Sequence, residues 1–454
     1  MDPALSRWLE RLEALDISRV ELGLGRVDQV YRRLSPFASS RPTIITVAGT
    51  NGKGSTVAFL EAMLMAAGHR VTAYVSPHLN DFRERIRFDG QNIDSKRLVA
   101  ALDCVEQARQ GVPLTYFEYT TLAALQAAGA WSPAVLLLEV GLGGRLDAVN
   151  VVDADIAVIT RIGIDHARWL GNDIESIAFE KAGILRAGRP AVFSGRSCPQ
   201  AIIHWASVLG APLYRLGSRF DAQCRAGRLQ WTGPAPAGTP CASDEPDMPD
   251  SSSTQTGAGA LPDRTVSLDL PLPALPGAHQ IDNAAGAIMA ARLLPSALRP
   301  DQAAVAEGLR FAANPGRGEI IERDGVITVL DVAHNPQGCA ALRLLLEERI
   351  RPAGAVLAVM GALADKDPAA MAAELAGCVD AWFLGGLGGP RGLDSGELRD
   401  RLADVANLQN PLCDSDPVGA YNRALCRARP GDVILVFGSF MTVAAVRGHL
   451  IGGI

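Results

Sequence analysis

A buried strand that breaks into a glycine-rich turn constrains this chain more than any other stretch. Residues 44–48 (IITVA) are apolar and mostly β-branched, which predicts a strand that is covered on both faces. Residues 49–54 (GTNGKG) follow as a tight turn, and residues 55–64 have helical composition. Backbone N–H groups at such a turn converge with the positive end of the helix dipole, and Lys53 adds a formal charge. The stretch therefore predicts a phosphate-binding site on an α/β fold.

The spacing of this turn differs from the common G-x-x-x-x-G-K-[ST] phosphate loop. Val47 stands five residues before Gly52, where that pattern requires glycine, and Gly54 follows the lysine. An ordinary strand–turn–helix unit is the alternative for any such glycine cluster. The flanking strand and helix, with a lysine between them, favour nucleotide binding, in which Ser55 or Thr56 would offer a hydroxyl to Mg²⁺.

Length and composition bound the remaining possibilities. At 454 residues the chain is long for one hydrophobic core, so we expect two domains. A net charge of -6 gives no reason to expect nucleic acid or an acidic membrane as a partner. The eight cysteines are scattered without a C-x-x-C pair, which indicates free thiols in a reducing compartment. The sequence shows neither a signal peptide nor an apolar run of membrane-spanning length, so it predicts a cytoplasmic protein.

Strand-like and helix-like segments alternate along most of the chain. With helices between them, strands are predicted at residues 70–76, 134–140, 155–160 and 190–193. A second alternating unit has predicted strands at residues 326–331, 356–360, 381–384 and 433–437. Such alternation is typical of mainly parallel sheets.

The same pattern suggests how the chain is divided. We expect an N-terminal domain over residues 1–313 and a smaller C-terminal α/β domain over residues 314–454. Residues 233–263 are rich in proline, serine and glycine, which predicts a long flexible insertion. Residues 83–90 (RERIRFDG) are charged, and we expect them to be solvated.

Chemically capable side chains follow several predicted strands, at the edge where open α/β sheets bind ligands. They are Ser76, Glu139, Asp165 with His166, and Asp331 with His334 and Asn335. Glu139 is the anomaly, because a bare carboxylate in so apolar a run would cost several kcal/mol. Ser, Glu and His together suit a Mg²⁺ site that also holds nucleotide phosphates. Each has an ordinary alternative: Ser76 could cap a turn, and His166 could be a satisfied core histidine.

Four residues are harder to assign from the sequence. Lys181 lies among apolar residues of a helical segment, and spacing alone predicts that its amine snorkels to water. Asp331 could accept a hydrogen bond from a ribose hydroxyl or cap the next helix. Arg317 could reach a phosphate or merely lie in the linker, and Arg391 has no assignment.

As an ordered set, the motifs of this chain resemble those of the folylpolyglutamate synthases. The set comprises residues 49–55, 76–79 (SPHL), 139–147 (EVGLGGRLD), 165–166, 180–184 (EKAGI), 315–317 (PGR), 331–336 (DVAHNP), 361–367 and 437–440. Residues 115–119 (TYFEY) are closest to the bifunctional bacterial branch, dihydrofolate synthase/folylpolyglutamate synthase. The likeness covers most of the chain outside the insertion.

The resemblance implies a Mur-ligase-type fold with ATP and Mg²⁺ as cofactors. Its N-terminal domain would be a P-loop-type, mostly parallel sheet, and its C-terminal domain a smaller Rossmann-like α/β unit. The implied ATP contacts are Thr50, Asn51, Gly52, Lys53, Gly54, Ser55, Asn283, Arg317, Asp331 and His334. The implied Mg²⁺ ligands are Ser76, Glu139 and His166.

The resemblance also implies catalytic and substrate residues. The catalytic residues would be Lys53, Lys181 and His166. The residues that hold the pterin would be Leu22, Thr115, Phe117 and Asp147. Lys181 matches a lysine that is carbamylated in the family, which would turn a cation into a carboxylate able to bind metal. This implication replaces the snorkelling interpretation.

The implied reaction is ATP-dependent joining of L-glutamate to 7,8-dihydropteroate, and of further glutamates to reduced folates by γ-carboxyl linkage. A carboxylate is a poor electrophile, so ATP would first convert it to an acyl phosphate, which the glutamate amine would attack. The expected partners are these small molecules, with neither nucleic acid nor membrane, and the protein is expected to act as a monomer. Two alternatives stay open: another Mur-type ligase acting on a cell-wall nucleotide precursor, and a P-loop kinase that makes no amide.

Overall fold

A mostly parallel sheet forms the centre of the N-terminal part of the chain. The computed structural model describes residues 2–15, 23–165, 167–235, 265–408 and 410–452. The strands of this sheet are β1 Thr43–Ala48, β2 Val71–Tyr74, β3 Ile86–Phe88, β4 Gln91–Asn92, β5 Val135–Glu139, β6 Ile156–Ile159, β7 Ala191–Phe193 and β8 Leu213–Arg215. Their spatial order is β4-β3-β2-β5-β1-β6-β7-β8. At one edge β3 pairs in antiparallel fashion with both β2 and β4, and all other neighbouring strands pair in parallel.

Helices cover both faces of this sheet. They are α1 Pro3–Glu13, α2 Gly25–Leu34, α3 Lys53–Ala66, α4 Ser95–Arg109, α5 Tyr116–Trp131, α6 Ala167–Leu170, α7 Ile174–Ala182, α8 Gln200–Val208, α9 His279–Arg292 and α10 Gln302–Phe311. Short 3₁₀ turns lie at Phe82–Arg85, Ala148–Val151 and Ser296–Leu298. Ile44 of β1 belongs to the core beneath α1, α2, α4 and α5, whereas Ile45 belongs to the core beneath α3, α9 and α10. Burial on both faces explains why the strands read as continuous apolar runs.

A small antiparallel sheet packs beside α9. Its strands are β9 Asp221–Arg225, β10 Arg228–Pro234 and β11 Thr265–Pro271. Trp231 of β10 is fully buried, and its Nε1 donates to the carbonyl of Ala285 at 3.3 Å. The predicted insertion therefore begins too early, because Gly233 and Pro234 still pair with β11. Residues 236–263 of that insertion lie outside the described residues.

Residues 83–90 are not a solvated segment, so that sequence prediction is wrong. Ile86–Phe88 forms β3, and Arg85 is only 6% exposed. Arg87 makes an ion pair with Glu61 of α3 at 2.6 Å. Because the arginine finds a carboxylate within the fold, the apolar residues that alternate with the charges can be buried.

A second α/β unit forms the C-terminal part of the chain. Its strands are β12 Arg317–Arg323, β13 Val326–Asp331, β14 Val356–Met360, β15 Ala381–Gly385, β16 Leu412–Asp414 and β17 Val433–Phe437, in the order β12-β13-β17-β14-β15-β16. Its helices are α11 Pro336–Leu345, α12 Pro368–Ala373, α13 Ser395–Arg401, α14 Pro417–Arg427 and α15 Phe440–Gly452, with a π-helical turn at Leu346–Ile350. Pairing is parallel except for β12. None of the helices in the described ranges is long and apolar enough to cross a lipid bilayer.

The two units confirm the predicted α/β fold class, with a parallel-rich N-terminal sheet and a second C-terminal sheet. Arg317 was considered as a possible linker residue, but it already begins β12. This edge strand (RGEIIER) is rich in charged residues, so composition did not distinguish it from a loop. The division between residues 313 and 314 stays a prediction.

Candidate active site

The loop between β1 and α3 has a shape that requires glycine at two positions. Gly49 has a φ of 151° and Gly52 a φ of 94°. A Cβ on Gly49 would lie 1.8 Å from Thr160 Oγ1, and one on Gly52 would lie 2.3 Å from Asn283 Oδ1. Lys53, the first residue of α3, donates from Nζ to the carbonyl of Gly49 at 3.0 Å. The loop therefore curls around a lysine at a helix N-terminus, an arrangement suited to phosphate.

Side chains of the loop fix its position against neighbouring segments. Thr50 Oγ1 donates to the carbonyl of Gly163 at 2.9 Å and accepts from the N–H of the same residue at 3.1 Å. Asn51 Oδ1 accepts from Asn335 Nδ2 at 3.2 Å. Because Asn335 caps α11, this bond connects the loop to the C-terminal unit.

Glu139, at the end of β5, lies directly beneath this loop. Its side chain is 3% exposed, and Oε2 accepts from the N–H of Ser76 at 3.2 Å. Burial raises the pKa of Glu139, and the positive charges of Lys53 and Arg317 oppose that rise. A Cβ on Gly54 would lie 3.6 Å from Glu139 Oε2. One of the two positions at which the loop departs from the common phosphate-binding pattern, Gly54, thus faces this carboxylate.

Ser76 and Glu139 fit a hard divalent cation. Both offer oxygen, and they follow the neighbouring strands β2 and β5. Mg²⁺ prefers oxygen and takes few protein ligands, because it keeps water and binds substrate phosphates. Within the described residues no cluster of three His, Cys, Asp or Glu could hold a metal alone. His166, the third predicted ligand, lies outside the described residues.

Lys181 lies in the last turn of α7 and is 4% exposed, so the snorkelling interpretation is wrong. Burial lowers the pKa of Lys181 to about 7, and repulsion from Lys53 contributes to the shift. The amine is therefore partly neutral near neutral pH. Only a neutral amine can react with CO₂, so the environment of Lys181 suits carbamylation.

These residues line one cavity of ≈ 280 Å³ between the two units. The N-terminal unit contributes Lys53, Ser76, Glu139, Asp165 and Lys181. The C-terminal unit contributes Arg317, His334, Lys366, Arg391 and residues 438–441.

A buried ion pair joins the two units at this cavity. Lys366 Nζ lies 2.5 Å from Asp165 Oδ1, and each side chain is 9% exposed. His334 Nε2 lies 3.4 Å from the other oxygen of the same carboxylate. Asn335 Nδ2 donates to the same oxygen at 3.4 Å, so Asp165 contacts three residues of the C-terminal unit.

A side pocket adjoins the cavity and contains most of the other predicted ATP contacts. We call the side pocket the space lined by Asn51, Gly52, Ser55, Arg161, Ser194, His279, Gln280, Asp282, Asn283, Arg317, Asp331, Ala333, His334, Gln337, Gly338, Ala341, Leu342 and Leu345. Asn283 Nδ2 donates to Gln280 Oε1 at 2.9 Å, and Gln280 Nε2 donates to Ser55 Oγ at 3.3 Å. Burial raises the pKa of Asp331, whose Oδ1 accepts from the N–H of Ala333 at 2.8 Å.

Comparison with known proteins gives one consistent family. Residues 316–440 match the family described as Mur ligase, glutamate ligase domain. The dihydrofolate synthase/folylpolyglutamate synthase of Escherichia coli (strain K12) is 39% identical over 443 residues, which cover 97% of this chain and 94% of that protein. The chain belongs to the dihydrofolate synthase/folylpolyglutamate synthase family. The protein of the same name from Bacillus subtilis (strain 168) is 31% identical and covers 95% of each chain.

Solved structures of the dihydrofolate synthase/folylpolyglutamate synthase family agree with this fold. E. coli FolC in complex with DHPP and ADP matches with a TM-score of 0.84 and 37% identity, over 99% of this chain and 98% of that chain. A bifunctional folylpolyglutamate synthase/dihydrofolate synthase with Mn, AMPPNP and L-glutamate bound matches with a TM-score of 0.82 and 39% identity, over 98% of both chains. The predicted function is confirmed: the chain is an ATP-dependent glutamate ligase of folate metabolism. This family identity sets aside the cell-wall ligase and the P-loop kinase.

The residues that the family resemblance implied as pterin contacts do not all lie in one place in the structure. Phe117 lies against the turn that follows β5, because a Cβ on Gly141 would be 2.5 Å from its ring. Thr115 caps α5 and lines another pocket, beside α1. Both carboxylate oxygens of Asp147 accept backbone N–H bonds, at 2.8 and 3.0 Å, and burial raises its pKa to about 6. Asp147 therefore shapes the turn, and Leu22 lies outside the described residues.

No role was predicted for Lys366 from the sequence, although the scarcity of lysine in the chain could have drawn attention to it. Only four of the 43 basic residues are lysine, at positions 53, 96, 181 and 366. Three of these four line the cavity. In a chain that otherwise uses arginine, the scarcity of lysine would have drawn attention to Lys366.

Replacing Gly49 with alanine should disrupt the phosphate-binding loop. The added Cβ would collide with Thr160, and the φ of 151° is unfavourable for alanine. We expect the affinity for ADP, measured by isothermal titration calorimetry, to fall about tenfold or more. Gly68→Ala is the control, because its φ of 81° is also left-handed but no atom lies within 4 Å of the added Cβ. Equal affinities for ADP in the two variants would contradict the assignment of this loop.

Proposed function

We propose that ATP activates a carboxylate of dihydropteroate or of a reduced folate in the cavity between the two units, where the amine of glutamate then attacks it. The observation that carries this proposal is the convergence of Lys53, Glu139, Lys181 and Lys366 on one cavity at the ends of parallel strands. Solved relatives support the choice of ligands, since one holds DHPP and ADP and another holds Mn, AMPPNP and L-glutamate.

The reaction has two steps, and both use the same cavity. An oxygen of the substrate carboxylate attacks the γ-phosphorus of ATP, the bond from phosphorus to ADP breaks, and an acyl phosphate forms. The neutral amine of glutamate then attacks the acyl carbon, the C–N bond forms, inorganic phosphate leaves, and the nitrogen gives up a proton. Glutamate addition to a reduced folate repeats these steps on the terminal γ-carboxylate.

The phosphate groups of ATP would be held by the loop at residues 49–53. Its backbone N–H groups and the helix dipole of α3 favour negative charge, and Lys53 balances the charge on the transferring phosphoryl group. Ser76 and Glu139 would hold Mg²⁺, with His166 as the third proposed ligand. The ion would supply the positive charge that orients the phosphoryl oxygens for in-line attack.

Lys181 would act as a carbamate. Its neutral amine adds to CO₂, a C–N bond forms, and loss of a proton leaves a carboxylate on the end of the side chain. Burial of this lysine lowers its pKa to about 7, so a large share of the amine is neutral at physiological pH. The carbamate would face the same cation as Glu139, because both side chains line the cavity.

The two carboxylates of glutamate require cations on the remaining wall. Lys53 and Lys181 belong to the phosphate side of the cavity, and Arg317 is a proposed ATP contact, which leaves Lys366 and Arg391 on the C-terminal side. Lys366 is buried against Asp165, whereas the side chain of Arg391 is 47% exposed and pairs with Asp365 at 2.9 Å. We therefore assign a glutamate carboxylate to Arg391. The acceptor would approach along the turn at residues 141–143, against Phe117.

The domain arrangement is part of the proposal. We assign residues 1–313 to an N-terminal domain and residues 314–454 to a C-terminal domain that closes over the bound nucleotide. The contacts of Asp165 with Lys366 and of Asn51 with Asn335 would stabilise the closed form. A monomeric, cytoplasmic protein stays a prediction.

A ligation assay with dihydropteroate, glutamate and ATP tests the function. We expect ADP and phosphate release that depends on both dihydropteroate and glutamate, and product formation with tetrahydrofolate as an alternative acceptor. Lys53→Ala and Glu139→Gln should each lower kcat about 100-fold or more, because each removes charge stabilisation from the phosphoryl transfer. Lys96→Ala, at an exposed lysine far from the cavity, is the matched control and should leave kcat unchanged.

Two results would refute this function. A wild-type rate in Lys53→Ala or Glu139→Gln would show that the reaction occurs elsewhere. Stoichiometric phosphate transfer to the acceptor with no amide formed, with or without glutamate, would identify a kinase.

Carbamylation of Lys181 can be tested by intact mass measurement. In bicarbonate buffer at neutral pH we expect one CO₂ adduct, which is lost on acidification and is missing from Lys181→Arg, because arginine stays protonated. Removal of dissolved CO₂ should lower the ligation rate, and bicarbonate should restore it. With only four lysines in the chain, loss of the adduct in Lys181→Arg assigns it to that residue, and Lys96→Arg serves as the control that keeps it. An active enzyme with an unmodified Lys181 would exclude the carbamate.

Loss of the Arg391 charge should weaken glutamate binding. We expect Arg391→Ala to raise KM for glutamate about tenfold to 100-fold, with a smaller effect on KM for ATP, because a charge-assisted hydrogen bond is lost. Arg399→Ala removes an exposed arginine of α13 that pairs with Asp400 and does not line the cavity, so it is the control. An unchanged KM for glutamate in Arg391→Ala would move the glutamate site elsewhere.

A further inference from the structure

The first strand of the C-terminal unit contains a β-bulge beside the cavity. Arg317 and Glu319 pair with two consecutive residues of β13, so Gly318 is an extra residue between them. Gly318 has a φ of 65°, and an added Cβ would lie 2.7 Å from Pro276 Cγ. A bulge of this kind redirects the side chains that flank it. Arg317 and Glu319 therefore leave the strand in different directions, whereas in a regular strand they would share a face.

The side chain of Arg317 reaches the ligand-binding space. It lines both the main cavity and the side pocket, and its Cζ lies 5.2 Å from the centroid of the Phe440 ring. Burial raises the pKa values of Glu139 and Asp331, and the charge of Arg317 opposes both shifts. Among the described residues no carboxylate lies within ion-pair distance of its guanidinium. The placement of this cation therefore depends on the backbone turn that carries it.

Glu319 fixes that turn. Its Oε2 accepts a hydrogen bond from the N–H of Gly316 at 2.8 Å, and the carbonyl of Gly316 accepts from the N–H of Val332 at 2.8 Å. Gly316 has a φ of 72°, and an added Cβ would lie 3.2 Å from atoms of both Leu79 and Val443. Because both polar backbone groups are bonded and the residue is closely packed, the turn has one defined conformation.

Arg447 of α15 holds the carboxylate of Glu319 in place. Its Nε donates to both oxygens, at 3.1 and 2.8 Å, and the two side chains are only 17% and 23% exposed. Its Nη1 donates to Asn80 Oδ1 at 3.4 Å, and Asn80 Nδ2 donates to the carbonyl of Ala444 at 2.8 Å. Val446, which precedes Arg447, is fully buried. The carboxylate is thus attached to a helix that is packed against the second sheet.

We propose that Glu319, held by Arg447, is a positioning residue that keeps the guanidinium of Arg317 against the phosphates of ATP. This inference rests on the proposed function, in which Arg317 contacts ATP. Glu319 lines neither the main cavity nor the side pocket, so it acts through the turn at residues 315–317 and not on the ligand. A shift of about 1 Å is enough to remove most of the effect of a group that binds a reacting phosphate.

A double-mutant cycle tests this role, with binding of AMPPNP and Mg²⁺ to the full-length protein measured by isothermal titration calorimetry. Arg317→Ala should weaken AMPPNP binding about tenfold or more, because it removes the cation. Glu319→Ala should weaken it about threefold to tenfold, because the turn loses its hydrogen-bond acceptor. In the Arg317→Ala background, Glu319→Ala should have no further effect, since the side chain that it positions is missing.

Two further variants separate positioning from general damage. Glu322→Ala removes an exposed carboxylate of the same strand and should keep the wild-type affinity. Glu319→Gln retains an oxygen that can accept from the N–H of Gly316, so its affinity should stay within about twofold of the wild type. Thermal midpoints within the wild-type range confirm folding. If Glu319→Ala is unstable, Arg447→Ala takes its place in the cycle.

Each outcome has a defined meaning. A loss of affinity in Glu319→Ala that disappears in the Arg317→Ala background supports the proposal. Wild-type affinity in Glu319→Ala, or losses that add in the double variant, overturns it while the ATP site stands. Unchanged affinity in Arg317→Ala overturns the contact of Arg317 with ATP and the positioning role together. A wild-type protein that does not bind AMPPNP would overturn the proposed ATP site, and this role with it.

Discussion

Burial of several opposite charges in one cavity is the interaction on which the rest of the structure depends. Lys53, Lys181 and Lys366 converge there with Glu139 and Asp165. An isolated buried charge costs several kcal/mol, and the carboxylates of Glu139 and Asp165 offset part of this cost for Lys53 and Lys366. Even so, burial lowers the pKa of Lys181 and raises the pKa of Glu139. The charges therefore form one coupled group, and the C-terminal unit is part of it because Lys366 neutralises Asp165 across the interface.

The architecture of the sheets explains how these charges reach one place. A parallel strand that is buried on both faces must stay apolar along its length, so charged side chains are confined to its end. Because parallel strands end at the same edge, Ser76 after β2 and Glu139 at the end of β5 become neighbours. β13 and β17 of the second sheet end toward the same region, where Asp331 lines the side pocket and Ser439 lines the cavity. A reaction at this interface would require both units.

The sequence predicted the parts of the site whose signals are local. The glycine turn with Lys53 can be recognised from about ten residues of sequence, and so can the lone carboxylate of Glu139. Both lie at the strand ends that the hydrophobic pattern predicted. Lys181 was different, because spacing along its own helix cannot reveal that the glycine turn after β5 covers it. The pair of Asp165 and Lys366 is separated by 201 residues, so only the fold brings it together. β12 and the β9–β10 hairpin were missed because their strands carry many polar residues. β3 was misread because the partner of Arg87 is on α3.

The use of lysine in this cavity follows from the chemistry of the side chain. Arginine keeps its charge under all physiological conditions, whereas a buried lysine can lose its proton. At position 181 burial, with a contribution from the charge of Lys53, lowers the pKa to about 7, whereas an arginine there would stay charged. At position 53 a compact ammonium group can lie within the curl of the loop, where it contacts the carbonyls of Gly49 and Thr50. The chain therefore uses arginine for nearly all of its other cations and keeps lysine where a small or titratable amine is needed.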